Sequence, residues 1–528
     1  MDHTAKRDGV SASRATSWLQ QRPAVQNLRD ALTRSGERPR WSTMFWPVAV
    51  ASFVVVVVTG FYLTAFYDPS IEQTRYDGDY APLRGTEMSR ALESTLGITF
   101  DVPGGLFARQ LHGWASSLMI AALLVHLLAL FFTGRYRKPA RMTWVFVFVV
   151  LFLSMAGGLT GVVLPDDLVS GSSLAVLDGV TKAVPIVGTW LSFLLFRGQG
   201  TSGAIELFYP LHVLALPVAI AGAIAFVVLT ALRVPERLPR WKAIGWALAA
   251  TATRRAPLFF LVAATLAFVS AAVTINPVWI YGPADPGNAA AGAGALWYLA
   301  FLDGAQRLMP PGWEVVWLDR TWTLAILIPV GVAGLFLVVA LMYPFLESWL
   351  TGDRRDHVIV DRPRNVPVRT ATGVAGMVFY GVLWAAAASD VIAAQLQLGL
   401  ENVVLALQLT LLVGPVVAFV ITKRICLELQ AKDRELLRHG RETGRIVRLP
   451  GGEYIEMHAP IGSDERRALT SVPVEPSVVR PGPDGRIRLS TRLHAVASRW
   501  FFDGASAPVP EDDRPVELER TGSRPDAR

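Results

Sequence analysis

The chain has 528 residues, of which 52% are hydrophobic and only 18% are charged, and its mean hydropathy is +0.38. This balance is typical of membrane proteins and excludes an ordinary soluble globule. The net charge of +7 could suggest a nucleic-acid-binding protein, but the basic residues flank apolar runs instead of forming one patch with interleaved aromatic residues. We therefore expect no nucleic-acid partner.

Apolar runs long enough to cross the hydrocarbon core of a bilayer recur along the chain. There are eight of them, at about 44–67, 111–133, 142–164, 205–232, 256–276, 321–343, 371–394 and 400–423. The sequence therefore predicts an all-α membrane protein with eight transmembrane helices.

Basic and acidic connections alternate between these runs. Lys and Arg are concentrated in 1–43, 134–141, 233–255, 351–370 and the start of the tail, whereas the intervening connections carry mainly Asp. The positive-inside rule then predicts a multi-pass protein of the cell membrane with both termini in the cytoplasm. The first apolar run follows a long polar segment and is too extended for a cleaved signal, so we expect it to remain in the mature protein.

The composition divides the chain into four parts. We expect a basic cytoplasmic arm at 1–40, a four-helix bundle at 41–235, four further helices at 236–425, and a largely disordered cytoplasmic tail at 426–528. Mixed segments after the third run and at 295–310 are typical of short helices lying at the outer interface. The one cysteine, Cys426, excludes an internal disulfide.

Histidines are placed unevenly in the first four runs. His112 and His126 lie fourteen residues apart in the second run, a rise of about 21 Å that returns to nearly the same helix face. Such a pair can hold two stacked haems if a facing helix supplies the second ligand of each iron. His212 in the fourth run can supply one, but fourteen or fifteen residues later stand Phe226 and Val227. One haem is therefore feasible, and the other is predicted to be lost.

Several sequence motifs accompany these histidines. They are RQLH with a second histidine fourteen residues on, LHVLALP, VVLPDDLVSGSSL, INPVWIYGPADP and FLDGAQRLMP. Together they resemble the cytochrome b subunit of the cytochrome bc1 complex, of the actinobacterial type that oxidises menaquinol, over about residues 41 to 460. The resemblance implies a four-helix half that holds two b haems, each between a histidine of the second span and one of the fourth.

By this resemblance, the outer, low-potential haem would be bound by His112 and His212, with Arg109 near its propionates. The family also places glycines in the first and third spans where a side chain would strike the porphyrin. Gly60 and Gly161 match that outer pair. We expect these five residues to form the haem b site.

The inner haem position departs from the family pattern on four spans. The glycines expected fourteen residues before Gly60 and Gly161 are replaced by Trp46 and Val147. The family's arginine, three residues after its inner histidine, is Ala129 here, and the partner histidine is replaced at Val227. His126 is then a doubtful ligand, and its alternative interpretation is a histidine bonded to a neighbouring carbonyl.

The outer quinol site also departs from the family pattern. Where the family carries P-E-W-Y or P-D-W-Y, this chain has Ala295, Leu296, Trp297 and Tyr298. Leucine cannot accept a proton, so general-base assistance at this position is predicted to be absent. Trp297 and Tyr298 are candidate quinol-pocket residues or simply interfacial aromatics. Asp285 and Asp303 are more simply solvated loop carboxylates than substitutes for the missing base.

Two functions stay open from the sequence. The first is a redox subunit that, with a Rieske iron-sulfur subunit and a c-type cytochrome subunit, oxidises menaquinol without a full quinone cycle. The second is a catalytically silent scaffold, or a haem- or quinone-binding paralogue of that subunit. A homodimer is an expectation taken from the family, and membrane lipid surrounds the chain in either case.

Overall fold

A computed structural model describes residues 44–184, 186–196, 204–231, 240–285, 287, 296–353, 356–357, 361–462, 466, 469 and 489–505. The basic arm expected at 1–40 lies outside these residues. Helices dominate the described chain. In chain order they are α1 Phe45–Thr64, α2 Arg90–Phe100, α3 Gly105–Phe132, α4 Arg141–Val163, α5 Leu168–Ala183, α6 Gly188–Phe196, α7 Ala204–Thr230, α8 Arg240–Ala272, α9 Ala300–Arg307, α10 Leu324–Thr351, α11 Pro367–Ala386, α12 Ser389–Leu396, α13 Leu400–His439 and α14 Leu489–Phe501.

Strands within the described residues form three antiparallel hairpins. They pair β1 Gln73–Arg75 with β2 Glu87–Ser89, β3 Glu314–Trp317 with β4 Arg320–Thr323, and β5 Arg441–Arg448 with β6 Tyr454–Ala459. Each hairpin is short and connects two helices in the chain, so the all-α fold class is confirmed.

Seven helices of the described chain are long and apolar enough to span a membrane, and the count becomes eight if one bent pair forms a single span. The pair is α11 and α12, whose axes differ by 70°. It coincides with the seventh run of the sequence. The spans are therefore α1, α3, α4, α7, the 251–272 part of α8, α10, the bent pair and α13.

The structure divides into two compact units. The first comprises the chain to 129, 142–298 and 312–328. Part of its core joins the first, second and fifth spans through Ala51, Val55, Ala115, Val262 and Leu266. The fifth span thus packs on the first, and the sequence-based boundaries at 235 and 425 stay a prediction.

The segment after the third span folds as the short helices α5 and α6, as expected. Asp167 begins α5, because its carboxylate accepts a hydrogen bond from the backbone N–H of Ser170 at 3.1 Å. Asp167 also forms an isolated antiparallel β-bridge with Pro283, and the N–H of Leu168 donates to the carbonyl of Gly282 at 3.0 Å. Burial raises the pKa of Asp167. These bonds fix residues 282–284 beside the start of α5.

The second unit comprises 130–141, 299–311 and the chain from 329. A buried polar cluster joins the connection between the second and third spans to the end of α10. The Tyr136 hydroxyl and Arg137 both donate to the carboxylate of Glu347, the latter from Nε at 2.7 Å. Asp361 accepts from Arg137 at 3.2 Å and from the fully buried Arg369 at 2.9 Å. Buried charges of both signs are thus paired.

The tail from 426 was expected to be largely disordered, whereas its described residues form helices and a hairpin. Helix α13 continues to His439, the β5–β6 hairpin follows, and α14 lies against the same unit. Gln430 of α13 donates to the carbonyls of Arg364 and Gly504, at 2.6 and 2.9 Å. The tail contains only short stretches with a helical repeat of apolar residues. Its helices are therefore stabilised by tertiary contacts of this kind.

Candidate haem site

The second and fourth spans bring His112 and His212 together. Their imidazole ring centroids are 6.1 Å apart, with an angle of 60° between the ring planes. A bond between a histidine nitrogen and a metal is about 2 Å long, so one metal ion fits between two rings at this separation. The sequence-predicted pair of axial ligands therefore faces across the bundle.

Hydrogen bonds decide which ring nitrogen of His212 is available. Its Nδ1 lies 3.0 Å from the carbonyl oxygen of Gly157, which can only accept. Nδ1 must therefore carry the proton, and Nε2 keeps its lone pair. The Thr160 hydroxyl, 3.1 Å from the same Nδ1, donates its own proton to the carbonyl of Ala156 at 2.9 Å. Partners of this kind fix the tautomer of a metal-binding histidine.

His112 is held in the same way from the first span. Its Nδ1 lies 3.1 Å from the hydroxyl of Thr59, and that hydroxyl donates to the carbonyl of Val55 at 2.7 Å. Since the hydroxyl proton is used, its oxygen accepts from Nδ1, and Nε2 of His112 is left with its lone pair. Both histidines thus present an unprotonated Nε2, the form that binds a metal.

Glycines lie against both rings. A Cβ atom at Gly60 would stand 3.2 Å from Cε1 of His112, and one at Gly161 would stand 2.5 Å from Cε1 of His212. A side chain at Gly161 is therefore excluded without movement of the imidazole. The structure places both sequence-predicted glycines at the site.

Thr59 and Thr160 were missed in the sequence. Each stands directly before one of the two glycines, so the repeated Thr-Gly pair was a usable signal. A threonine in a helix usually bonds to the carbonyl of its own preceding turn, and the sequence does not reveal that its oxygen also reaches a histidine of another span.

The fourth span is locally widened at His212. Residues Leu211–Ala215 form one π-helical turn, in which the N–H of Leu216 donates to the carbonyl of Leu211. Pro217 has no N–H to give to the carbonyl of Val213, which favours this break in the α-helical ladder. Such turns are frequent at functional sites because they redirect one side chain.

Arg109 stands one helical turn before His112. Its guanidinium donates to the Thr99 hydroxyl at 2.5 Å and to the carbonyl of Asn276 at 2.7 Å, and lies 5.8 Å from the ring of Trp279. These contacts hold the guanidinium at the end of the second span where the haem propionates were expected.

The inner position is built from bulkier side chains. The Trp46 indole packs on the His126 imidazole, with ring centroids 5.8 Å apart. Phe146 of the third span stacks on Phe226 of the fourth at 3.8 Å between centroids. The three remaining positions at which the sequence departs from the family pattern are all buried, namely Val147, Ala129 and Val227. The replacements identified in the sequence are thus packed inside the bundle.

Trp297 and Tyr298 directly follow Leu296, shortly before α9. Their rings form an edge contact at 5.6 Å, and Tyr298 is 4% exposed whereas Trp297 is 36% exposed. The Tyr298 hydroxyl lies against Gly158 of the third span, where any Cβ would overlap it. Burial raises the pKa of Tyr298, so the phenol stays protonated.

The two loop carboxylates considered as substitute bases have local partners. Asp285 accepts from the N–H of Gly287 at 2.9 Å, and Asp303 accepts from Arg307 at 3.0 Å. Asp303 is therefore part of an ion pair within α9. Neither contact gives these carboxylates a role with a quinol.

Comparison with known proteins identifies relatives over nearly the whole length. A family model described as cytochrome b (N-terminal)/b6/petB matches residues 117–283. The chain is 39% identical over 516 residues to a cytochrome bc1 complex cytochrome b subunit of Streptomyces coelicolor, covering 95% of this chain and 94% of the relative. The subunit of the same name from Mycobacterium tuberculosis is 41% identical over 435 residues, covering 80% and 78%.

A solved structure described as hyperthermophilic respiratory complex III is similar in fold. The TM-score is 0.50 at 17% identity, and the match covers 76% of this chain and 98% of that chain. At this identity the likeness concerns the fold alone.

Proposed function

Since the chain belongs to the cytochrome b subunits of cytochrome bc1 complexes, we propose that it is the haem-binding membrane subunit of a quinol:cytochrome c oxidoreductase and that it holds one haem b. The proposed site is the outer one, between His112 and His212. The observation that carries the proposal is the pair of facing imidazoles, 6.1 Å apart, each with Nδ1 hydrogen-bonded and Nε2 left with a lone pair.

The residues around this site fit a flat macrocycle. His112 and His212 would bind the iron through Nε2, and Thr59 and Thr160 orient the two rings. Gly60 and Gly161 leave the space beside the rings open to a porphyrin edge. Arg109, at the end of the span, would face the propionates. When bound there, the haem supplies one-electron transfer.

The proposal of a single haem rests on the packing of the inner position. The Trp46 indole occupies the space over His126, and the stacked pair of Phe146 and Phe226 fills the space between the third and fourth spans. Protein interiors are close-packed, so a ring-sized ligand would require several of these side chains to move together. His126 is then a packed core histidine.

One haem implies an incomplete quinone cycle. His112 and His126 are separated along the second span by about 21 Å of helix rise, which is too long for an efficient electron hop without an intermediate centre. An electron that reached the outer haem would have no second haem to carry it inward. We therefore propose that both electrons of the quinol would leave outward, through a Rieske iron-sulfur subunit and a c-type cytochrome subunit, with the outer haem as the centre that would hold the second electron and return it to that route.

The quinol would be menaquinol, bound beside Trp297 and Tyr298. Leu296 offers no proton acceptor there, whereas the buried phenol of Tyr298 can donate a hydrogen bond to a quinol oxygen. Proton removal would then rely on a group outside this tetrapeptide. A dimer of two such subunits, with both termini in the cytoplasm, completes the proposed arrangement.

The absence of a carboxylate at position 296, which is a leucine, favours an alternative function. A quinol site without its carboxylate fits a catalytically silent scaffold or a haem- or quinone-binding paralogue. The retention of His112, His212, Gly60 and Gly161 together favours the redox subunit, because a scaffold has no need for this combination.

The two functions differ in turnover. The complex assembled with wild-type chain should oxidise menaquinol and reduce its c-type cytochrome, and His212→Ala should abolish the reaction. His126→Ala should retain most of the activity, which makes it the matched control. Absence of menaquinol oxidation by the assembled wild-type complex would reject the redox proposal in favour of the scaffold.

A further inference from the structure

The helix near the C-terminus, α14, is apolar on two opposite sides. One side packs on the protein through Ala495 and Ser498, and the aromatic pair at its end, Phe501 and Phe502, contacts Val366. The opposite side carries a line of large apolar side chains that are exposed. These are Leu489, Leu493, Val496 and Trp500, which are 73%, 59%, 55% and 56% exposed.

The spacing of this line is helical. The steps of four, three and four residues bring all four side chains to one stripe along the helix. Together these four side chains form the C-terminal stripe. A helix with a buried face normally presents polar residues on the other face, so the stripe requires a nonaqueous surrounding.

The contacts of α14 place it at the end of the eighth span. The Trp500 ring lies parallel to the Phe419 ring, with centroids 6.4 Å apart and planes 4° from parallel. Phe419 belongs to the last apolar turns of α13, just before Lys423 and Arg424. Lys423 in turn pairs with Asp503 at 2.6 Å. The helix is therefore held where the eighth span passes from apolar to charged residues.

The end of the sixth span, α10, also contacts α14. Trp349, two residues before the end of α10 at Thr351, makes an edge contact with His494 at 5.0 Å. Because two spans end at α14, the helix lies along the membrane boundary of the second unit. Trp349 and Trp500 are both the residue type that concentrates at such boundaries.

The apolar surface is continuous from the span to the stripe. On α13, Leu412, Val416 and Val420 are 73%, 63% and 45% exposed, as expected of side chains that face lipid. Trp500 extends this surface through its contact with Phe419. The C-terminal stripe thus prolongs a lipid-facing surface.

Charge agrees with a lipid surface as well. Arg492 and Arg499 are the only Lys, Arg, Asp or Glu residues of α14, and both are exposed. They are seven residues apart, so they share one edge of the stripe. Arginines beside an apolar stripe can reach lipid phosphate groups while their stems remain on apolar surface.

We propose that α14 is an interfacial membrane helix. Its C-terminal stripe enters the acyl-chain boundary of the leaflet on the side of the C-terminus, and Arg492 and Arg499 contact the lipid phosphates. The lipid surface is thereby the partner of the tail, and α14 anchors the end of the chain beside the sixth and eighth spans.

The test places a nitroxide on the stripe in the full-length protein. Single cysteines replace Leu493 or Val496 in a Cys426→Ala background, and the labelled chain is reconstituted into phosphatidylcholine nanodiscs. Collision rates are measured with oxygen, which concentrates in hydrocarbon, and with a water-soluble nickel complex. Both labels should collide several-fold more with oxygen than with nickel. A label at Glu456, an exposed residue of β6, is the control and should show the reverse ratio.

Two results would overturn the proposal. A nickel rate above the oxygen rate at both positions places the stripe in water. Low rates with both reagents place it against another protein, which would then be the partner in place of lipid.

A second measurement does not depend on labelling. In nanodiscs, trypsin should cut the wild-type chain slowly at Arg492 and Arg499. The double variant Leu493→Ser and Val496→Ser should be cut several-fold faster, and the apolar control Leu493→Ile and Val496→Ile should match the wild type. Equal cleavage of the serine variant and the wild type would contradict the anchor. Neither measurement depends on haem content or quinol turnover.

Discussion

The indole ring of Trp46 packs against the imidazole ring of His126, with ring centroids 5.8 Å apart. Fourteen residues away on the same helix, His112 instead faces His212 across the bundle at 6.1 Å. The two histidines of this span therefore have different surroundings. His112 lies beside a glycine and a second imidazole, whereas His126 contacts a tryptophan ring.

Substitution of Gly161 should remove the haem. A Cβ there would stand 2.5 Å from Cε1 of His212. Gly161→Val would therefore displace the imidazole ring and fill the space in which the edge of the porphyrin would lie. We expect loss of the b-type absorbance of the purified chain. Gly222→Ala in the fourth span is the matched control, because its Cβ would meet no atom within 4 Å. Full haem content in Gly161→Val would show that the glycine does not face the ring.

Removal of the Thr160 hydroxyl should raise the haem midpoint potential. The hydroxyl accepts from Nδ1–H of His212 at 3.1 Å, which increases the basicity of the ligand and favours ferric iron. Loss of about 0.5–1 kcal/mol corresponds to a rise of about 20–40 mV for one electron, at about 59 mV per tenfold change. Redox titration of Thr160→Val measures this. Thr265→Val, whose hydroxyl bonds only to its own helix, should leave the potential unchanged, and an equal shift in both variants would contradict the assignment.

A carboxylate restored at Leu296 should speed quinol oxidation. Leu296→Glu would provide the proton acceptor that the tetrapeptide lacks, and a well-placed base contributes about a hundredfold or more. The rate of the assembled complex should increase with pH as the new carboxyl ionises, since only the ionised form accepts a proton. Leu296→Gln has similar size without that ability and is the control. Identical rates and pH profiles for the two variants would remove the site from the quinol reaction.

Neutralising Glu347 should destabilise the second unit. Its carboxylate accepts from Tyr136 and Arg137 and is 5% exposed, so Glu347→Gln leaves the Arg137 charge buried with only Asp361 as acid partner. Breaking a buried pair costs about 3–5 kcal/mol, and the thermal unfolding midpoint in detergent should fall accordingly. The exposed Glu401 provides the control, because Glu401→Gln should change stability by less than about 0.5 kcal/mol. Equal midpoints for the two variants would contradict a stabilising role.

Hydropathy alone predicted most of the spans, because a membrane helix must be apolar over its full length. The approach of His112 and His212 was predicted from the placement of the histidines and from the family resemblance. The 70° bend between α11 and α12 was not visible, because both pieces are apolar and the run reads as continuous.

Two features of the structure could not be predicted from the sequence. The hydrogen bonds that Thr59 and Thr160 accept from the two histidines depend on the register between spans, which the sequence does not reveal. Helix α14 was missed, because its apolar positions extend over only 13 residues inside a tail that is mostly polar. Its fixed position comes from contacts with Phe419 and Lys423, which are distant in sequence.

The number of haems in the purified chain distinguishes a subunit with one haem from a subunit with two. A pyridine haemochrome assay, referred to protein concentration by amino-acid analysis, should give one haem b per chain. His126→Leu should keep that value, and His212→Leu should reduce it to none. Two haems per wild-type chain, with one lost in His126→Leu, would show that the inner position also binds a haem.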